Sequence, residues 1–301
     1  MFHRTPATPA VSVVMPIFNQ ARYCRAAIES VRGQSLRDLE LILIDDGSTD
    51  ETATIVDSLA RRDKRIRVVH RRHAGVSASC NLGILLARCE FIARLDGDDL
   101  CVEDRLETQL AFLEDHPSVA VLGGDMMAMA QDGRPVRRVT YEPDSAALHL
   151  DVMHGNPLAH PTVMMRRSTV MKVGGYRRVF DYAEDYDLWL RASEHADLAN
   201  LPKILVHYRM HGESTTSRHF MRQALHAEVA RLAAQRRRAG KSDPFNYLTV
   251  VDQSALDLID LDAGEREQMT AMLEDALRED RAHAAQEQAR QGRGVVSRPV
   301  A

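Results

Sequence analysis

Glu90-Phe91-Ile92-Ala93-Arg94-Leu95-Asp96-Gly97-Asp98-Asp99-Leu100 is an apolar run that ends in three carboxylates within four residues. Like charges this close repel, and a counter-charge usually relieves them. Hard cations such as Mg²⁺ or Mn²⁺ take oxygen ligands, and Mg²⁺ is typically held by one or two carboxylates together with substrate phosphates. Gly97 is expected to let the backbone turn tightly between the outer acids. The alternative is a solvated acidic turn that caps the next helix. The segment by itself does not separate the two.

Its surroundings do. Val11-Ser12-Val13-Val14-Met15-Pro16-Ile17 is β-rich and nearly all apolar, as a buried parallel strand should be. Asn19 is expected as an N-cap, with Tyr23, Cys24, Ala27, Ile28 and Val31 at helical spacing behind it. Leu39 to Ile44 reads as a second strand, ending at Asp45-Asp46-Gly47-Ser48. Ser48 and Glu51 have capping-box spacing, ahead of a helix striped by Ile55, Val56 and Leu59. Arg65 to His70 is a third strand, and Ser77 to Ala87 a helix with Ala78, Leu82, Leu85 and Leu86 turned inward. Glu90 to Leu95 is the fourth strand.

Strand and helix thus alternate at short spacing, which means a parallel sheet with right-handed crossovers and helices on both faces. In such sheets ligands sit at the carboxyl ends of the strands. Those ends carry Phe18-Asn19, Asp45-Asp46-Gly47-Ser48 and Asp96-Gly97-Asp98-Asp99. A solvated turn would not predict polar residues meeting at one edge three times, so a nucleotide-and-metal site is favoured.

The chain of 301 residues is long enough for one large core or two modest ones. Lys+Arg 39 against Asp+Glu 43 gives a net charge of -4, which does not mark a nucleic-acid binder. Cys24, Cys80, Cys89 and Cys101 lack metal or redox spacing and read as reduced thiols of a cytoplasmic protein. No apolar run approaches the roughly 18 residues that span a bilayer, and no signal-peptide core opens the chain.

Val13-Val14-Met15-Pro16-Ile17-Phe18-Asn19, Ile44-Asp45-Asp46-Gly47-Ser48-Thr49-Asp50, Leu95-Asp96-Gly97-Asp98-Asp99 and Ala183-Glu184-Asp185-Tyr186-Asp187-Leu188-Trp189-Leu190-Arg191 occur in this order. Together they resemble the inverting glycosyltransferases of family two. The resemblance implies a GT-A fold, with a Rossmann-like, mostly parallel central sheet. It runs from Val11 to Ser217, divided into a nucleotide-sugar half (11–100) and an acceptor half (101–217). Residues 1–10 read as a flexible leader and 218–301 as a helical extension with a polar tail after Glu279.

Pro16, Phe18 and Asn19 match the family's base-binding loop, in which an aromatic ring stacks on the base. Asp45 and Asp46 match an acidic pair of which one member accepts from the base, Asp46 being favoured. Asp96 is expected near the ribose and Asp98 near the diphosphate-bound metal, with Asp99 sharing either task. The metal set is written as Asp98, Asp96 and His211, for a divalent Mn²⁺ or Mg²⁺. The resemblance makes Asp185 the base and Glu184 its neighbour. Many relatives carry Arg before the asparagine, where this chain has Ser79-Cys80-Asn81. Arg71, Arg72 and Arg94 are the candidate replacements, although lone arginines are ordinarily solvated.

Past Asp99 a helix is expected, with Leu106, Leu110 and Leu113 on one face and Pro117 after its end. A strand over Val119 to Leu122 is expected to break at Gly123-Gly124, and 131–150 to be loop-rich. His154 to Thr162 resembles the acceptor-lining stretch, with His160 read as a loop residue. Val163-Met164-Met165 reads as a strand, Gly174-Gly175 as a turn, and Pro202 to Arg209 as the last strand. Phe220 to Ala239 is helical and ends in Arg236-Arg237-Arg238, read as a solvated helix end, with contact to an anionic membrane surface as the alternative.

The function implied is metal-dependent inverting transfer of one sugar from a nucleotide-diphosphate sugar, UDP favoured over dTDP or GDP. The acceptor would be a hydroxyl on a saccharide, lipid-linked or protein partner, in cell-surface polysaccharide or glycoconjugate assembly. A nucleotide-sugar-binding pseudoenzyme and a sugar-nucleotide pyrophosphorylase are the alternatives. The intact acids count against the first, and the missing Gly-rich opening loop against the second.

Overall fold

Two mostly apolar runs, Val11–Ile17 (β1) and Leu39–Asp45 (β2), are buried along their whole length and pair in parallel. A strand covered on both faces has no use for alternation, which is why both read as near-continuous apolar runs. The computed structural model describes residues 9–141, 152–211, 219–259 and 261–293. The first eight residues of the leader, and 142–150 of the stretch expected to be loop-rich, lie outside them.

Up to Arg94 the chain adds α1 (Cys24–Arg32), α2 (Thr52–Ala60), β3 (Ile66–His70), α3 (Val76–Leu86) and β4 (Phe91–Arg94). The stretch that follows contributes β5 (Leu100–Cys101), α4 (Arg105–Asp115), β6 (Val119–Met129), β7 (Pro135–Val139), β8 (Met164–Arg166), α5 (Arg167–Lys172), α6 (Glu184–Ala192) and β9 (Asp197–Arg209). One nine-stranded sheet joins them in the order β3-β2-β1-β4-β8-β6-β9-β5, with β7 paired to β6. β3, β2, β1 and β4 are parallel, β8 runs against both β4 and β6, and β6 and β9 are parallel. This is an α/β protein of the GT-A type.

Several local expectations change. β5 comes between Asp99 and α4 and pairs with β9. Gly123 and Gly124 do not end β6, which continues to Met129. They are glycines because neighbours press on them: a Cβ at Gly123 would meet Asn200 Oδ1 at 2.5 Å, and one at Gly124 would meet Leu205 Cδ1 at 2.6 Å. On α3 the buried face is Ser77, Ser79, Cys80, Gly83 and Ile84, and Leu85 is 61% exposed. A Cβ at Gly83 would lie 2.3 Å from Val14 Cγ1, so the helix lies close to β1 through its small residues rather than its leucines. The Ser48–Glu51 capping box does not form. Asp50 accepts from Thr52 N at 2.9 Å and from Ala21 N at 3.1 Å instead.

The chain divides into two compact units, Met1–Arg178 with Glu184–Met210, and Val179–Ala183 with His211–Ala301. The second holds α7 (Phe220–Arg238), α8 (Gln253–Asp257) and α9 (Ala263–Arg293). The polar stretch after Glu279 stays helical to Arg293, since Ala, Gln, Glu and Arg are all good helix formers. At the end of α7, Arg237 pairs with Asp243 and Arg236 Nε donates to Ser242 O at 3.2 Å.

In the first unit α6 is held by one buried carboxylate. Asp187, 0% exposed, takes Arg177 on one side, while Arg191 Nε donates to it at 3.0 Å and Nη2 at 2.7 Å. Arg191 also donates to Val173 O and Gly175 O, fixing the turn at Gly174 and Gly175, both of positive φ. Burial opposes the Asp187 charge, but Arg191 and Arg177 outweigh it, and its pKa ends below the usual carboxylate value. A depressed folded pKa gives stability that is present above the unfolded pKa and lost as pH falls through the folded one. Asp187→Asn should cost roughly 3–5 kcal/mol at neutral pH, as removal of one partner of a buried pair does. In thermal melts the gap between variant and wild type should narrow below about pH 4. An equal gap at all pH values would show that the pair contributes through packing alone.

Candidate active site

β1 ends at Ile17 and delivers Phe18, 42% exposed, to the sheet edge. Its ring lies against His73, with centroids 4.3 Å apart and 31° between planes. Pro16 stays buried in register with Ile44, beyond the last β1–β4 pair, Val14 with Arg94, so its missing N–H interrupts no ladder there. Asn19 is not an N-cap, because α1 starts only after Tyr23. Asn19 has φ 51°, donates from its backbone N to Ser48 Oγ at 3.0 Å, and accepts from Thr49 N at 2.7 Å. It ties the first strand's end to the second's.

Asp45 and Asp46 are buried and already engaged. Asp45 accepts from Ser48 N at 3.0 Å and meets His70 Nδ1 at 2.7 Å, which holds that imidazole's pKa above its ordinary value. Asp46 accepts from Ala74 N at 3.0 Å and Gly75 N at 2.8 Å, with His73 Nδ1 at 2.9 Å and Arg71 Nε at 3.3 Å. Asp46 therefore shapes the loop between β3 and α3, and it brings His73, which sequence reasoning missed, beside Phe18.

The acids after β4 do not stand as a bare cluster. Arg94, the last residue of β4, turns its guanidinium inward and pairs with Asp96. Its side chain is only 5% exposed, and its Nε has no hydrogen-bond partner among the described residues. Burial works against that charge, but Asp96 and Cys80 beside it more than restore it. Of the three candidate replacement arginines, Arg94 is the one against Cys80. The signal was an arginine inside an otherwise apolar strand. Gly97 has no left-handed φ. A Cβ there would lie 1.9 Å from Gln20 Oε1, so a larger residue would have to displace the Gln20 side chain.

Asp98 is half-buried and Asp99 is fully buried. Asp99 Oδ1 accepts from Arg209 N at 2.8 Å, and its Oδ2 has no hydrogen-bond partner among the described residues. Arg209 Nε donates to Asp98 O at 2.9 Å. Burial, and then the charges of Asp96 and Asp98, push Asp99 well above the usual carboxylate range, and burial also raises Asp96.

Glu184 and Asp185 open α6, as the sequence suggests. Asp185 accepts from Asn156 Nδ2 at 2.8 Å and from Tyr186 N at 2.7 Å. Burial raises its pKa, and these hydrogen bonds and the Arg94 charge oppose the rise. Glu184 is buried, with His160 Nδ1 facing it at 3.9 Å. The Arg94 charge therefore acts on acids of both groups, Asp96 and Asp99 after β4 and Asp185 on α6. Among the described residues no three His, Cys, Asp or Glu side chains come together as a complete metal site. The raised, under-bonded Asp99 beside Asp96 and Asp98 nonetheless fits a cation whose other ligands come from a substrate. His211 is half-buried and falls in the second unit, so its metal role rests on the sequence alone.

Residues 12–174 match the model for Glycosyl transferase family 2. The chain is 39% identical over 191 residues to the Putative glycosyltransferase EpsE of Bacillus subtilis, covering 62% of this chain and 67% of that one. Three longer curated relatives are spanned only to 34%, 34% and 29% of their length. Staphylococcus aureus TarS 1-349 in complex with UDP-GlcNAc superposes with TM-score 0.62 at 18% identity, over 90% of this chain and 81% of that one. The mannosyltransferase PcManGT of Pyrobaculum calidifontis, in complex with GDP-Man and Mn²⁺, gives 0.59 at 18% identity, over 98% and 82%. With its acids at the sheet edge and at the start of α6, and with more than half its length matched, the chain belongs to glycosyl transferase family 2.

Proposed function

We propose that this glycosyltransferase moves one sugar, with inversion and with the help of a divalent cation, from a nucleotide-diphosphate sugar to an acceptor hydroxyl. A UDP-sugar is the favoured donor, and the setting is the assembly of cell-surface polysaccharide or glycoconjugate. The observation that carries this reading is the separation of two acid groups, one after β4 and one on α6, around a single buried guanidinium. Inverting displacement needs this division, with one acid set for the departing diphosphate and a separate acid for the attacking hydroxyl. TarS, with its UDP-GlcNAc, and PcManGT, with its GDP-Man and Mn²⁺, support the donor class and the cation.

In this reading Asp185 takes the proton of the acceptor hydroxyl. The hydroxyl oxygen bonds to the anomeric carbon as the bond to the diphosphate oxygen breaks. A carboxyl whose pKa is raised by burial is closer to the value that base catalysis favours. Asp98, with Asp96 and Asp99 behind it, would hold Mn²⁺ or Mg²⁺, which when bound offsets the charge of the departing diphosphate. Phe18 offers a stacking face for the base, beside Asn19, Pro16, Asp45 and Asp46.

Asp98→Asn should abolish transfer and weaken donor binding only where Mn²⁺ or Mg²⁺ is present, as read by thermal shift against a panel of nucleotide sugars. Undiminished wild-type activity in excess chelator would reject the cation. Phe18→Ala should lower nucleoside diphosphate affinity by the about 0.5–1.5 kcal/mol that ring stacking adds, with the melting temperature unchanged. Unaltered affinity in calorimetry would leave Phe18 out of the binding face. Asp185→Asn should bind donor normally and turn over roughly 10²–10⁴-fold more slowly. Donor affinity lost in step with turnover would make Asp185 a binding residue, and retained anomeric configuration in the wild-type product, read by NMR, would exclude the single displacement.

A further inference from the structure

His70, the last residue of β3, has no part in the reading above. It is in register with Asp45 on β2, and Asp45 is in register with Ile17 on β1, the residue before Phe18. Register partners in a sheet project to the same face, so imidazole and carboxylate meet at the strand ends. His70 Nδ1 lies 2.7 Å from Asp45 Oδ2, and Nε2 lies 3.0 Å from Oδ1 of Asp57 on α2. β3 packs against β2 and α2, and the charged groups that these present to the ring are Asp45 and Asp57. Arg71, next along the chain, is turned to Asp46.

An ionised carboxylate only accepts hydrogen bonds, and a neutral imidazole carries a single N–H. A neutral ring would therefore set a lone pair against one of the two carboxylates. The imidazolium donates to both. The Asp45 hydrogen bond raises the His70 pKa, partial burial opposes the rise, and Asp57 adds to it, leaving the ring above its ordinary value.

Asp45 passes the contact on. Its other oxygen accepts from Ser48 N at 3.0 Å. Ser48 Oγ accepts from Asn19 N at 3.0 Å, and Asn19 Oδ1 accepts from Thr49 N at 2.7 Å. The left-handed backbone of Asn19, with φ 51°, is thus held by the loop after β2. Asp45 ties that loop to the end of β3, and the imidazole ties Asp45 to α2.

We propose that His70 is a positioning residue: its imidazolium bridges Asp45 to Asp57 and clamps the corner of Ser48 and Asn19, so that donor affinity falls when this proton is lost. This rests on the reading of Phe18, Asn19 and Asp45 as part of the base-binding face. Linkage is reciprocal, so a bound donor holds the His70 proton more tightly. A group whose pKa is raised by its partners contributes fully below its ordinary value, and the contribution is lost as pH rises through the raised one. Donor affinity is therefore constant below about pH 6.5 and declines above it. The ring is 44% exposed and Asp57 45%, which keeps the effect to about three-fold, as for other exposed pairs.

The test uses the full chain with ¹⁵N-histidine, His70→Gln identifying the His70 resonances. In the free protein His70 should titrate above the ordinary value of about 6.5, and higher still with Mg²⁺ and either UDP-GlcNAc or GDP-mannose. Both donors have a diphosphate esterified at each end, so neither ionises near neutral pH. In calorimetry wild-type affinity for the donor that binds should fall about three-fold from about pH 6 to 8.5. His70→Gln should show the weaker affinity at both pH values, and His73→Gln should keep the decline. A free His70 that titrates at or below about 6.5 overturns the clamp, as does a His70 pKa that the donor leaves unmoved. So does a decline that persists in His70→Gln or vanishes in His73→Gln. A donor that binds the wild type equally at both pH values overturns the clamp alone. If neither donor binds at any pH, the base-binding reading fails and the clamp with it.

Discussion

The site is organised by the cost of putting one guanidinium where water does not reach. Burying an ion costs several kcal/mol after relaxation unless partners restore what hydration supplied. Arg94 sits against Val14, Ile84, Ile92 and Met165, an apolar lining that gives nothing back. Asp96 supplies the ion pair, and Cys80 and the Tyr176 phenol add to the field it feels. The charge is therefore anchored at one end by the strand it belongs to and is felt by acids on two different elements.

The first unit is joined by more than this charge. The sheet runs unbroken from β3 through β4 to β8, β6 and β9. On one side of the sheet order α3 offers Asn81, and on the other the turn after α5 offers the peptide of Tyr176. A side-chain amide that accepts from the N–H and donates to the C=O of one residue imitates a piece of β-ladder. The Asp187 cluster then fixes the same turn to α6. Asp185 is thus located by a chain of bonds that begins at Asn81 of α3.

Much of this was legible before the coordinates. Strands buried on both faces announce themselves, because continuous apolar runs between turn residues have few other uses. The three polar strand ends follow from that reading, and Glu184-Asp185 was placed at a helix start by pattern alone. What failed was local chemistry that depends on neighbours distant in sequence. The face of α3 was misjudged because its leucines outweighed its serines, whereas Val14 leaves room there only for small residues. Gly123-Gly124 looked like punctuation, although Asn200 and Leu205 were what required it. Asn19 had the composition of a cap but the backbone of a left-handed corner. His73 was passed over and Arg94 stood only as one of three candidate cations, because a lone charged residue carries no spacing to read, and only the fold shows which carboxylate it meets.

The Asp46 carboxylate has a consequence for any ligand that reaches it. Two backbone amides, an imidazole and a guanidinium already surround it. A newcomer's N–H must therefore take the place of a bond already there, and the net gain is the difference between two hydrogen bonds each worth about 0.5–1.5 kcal/mol. Recognition at this corner is an exchange, small in free energy. Its value lies in geometry: a rigid, ready-made acceptor spares the ligand the ordering cost that a loose one would impose.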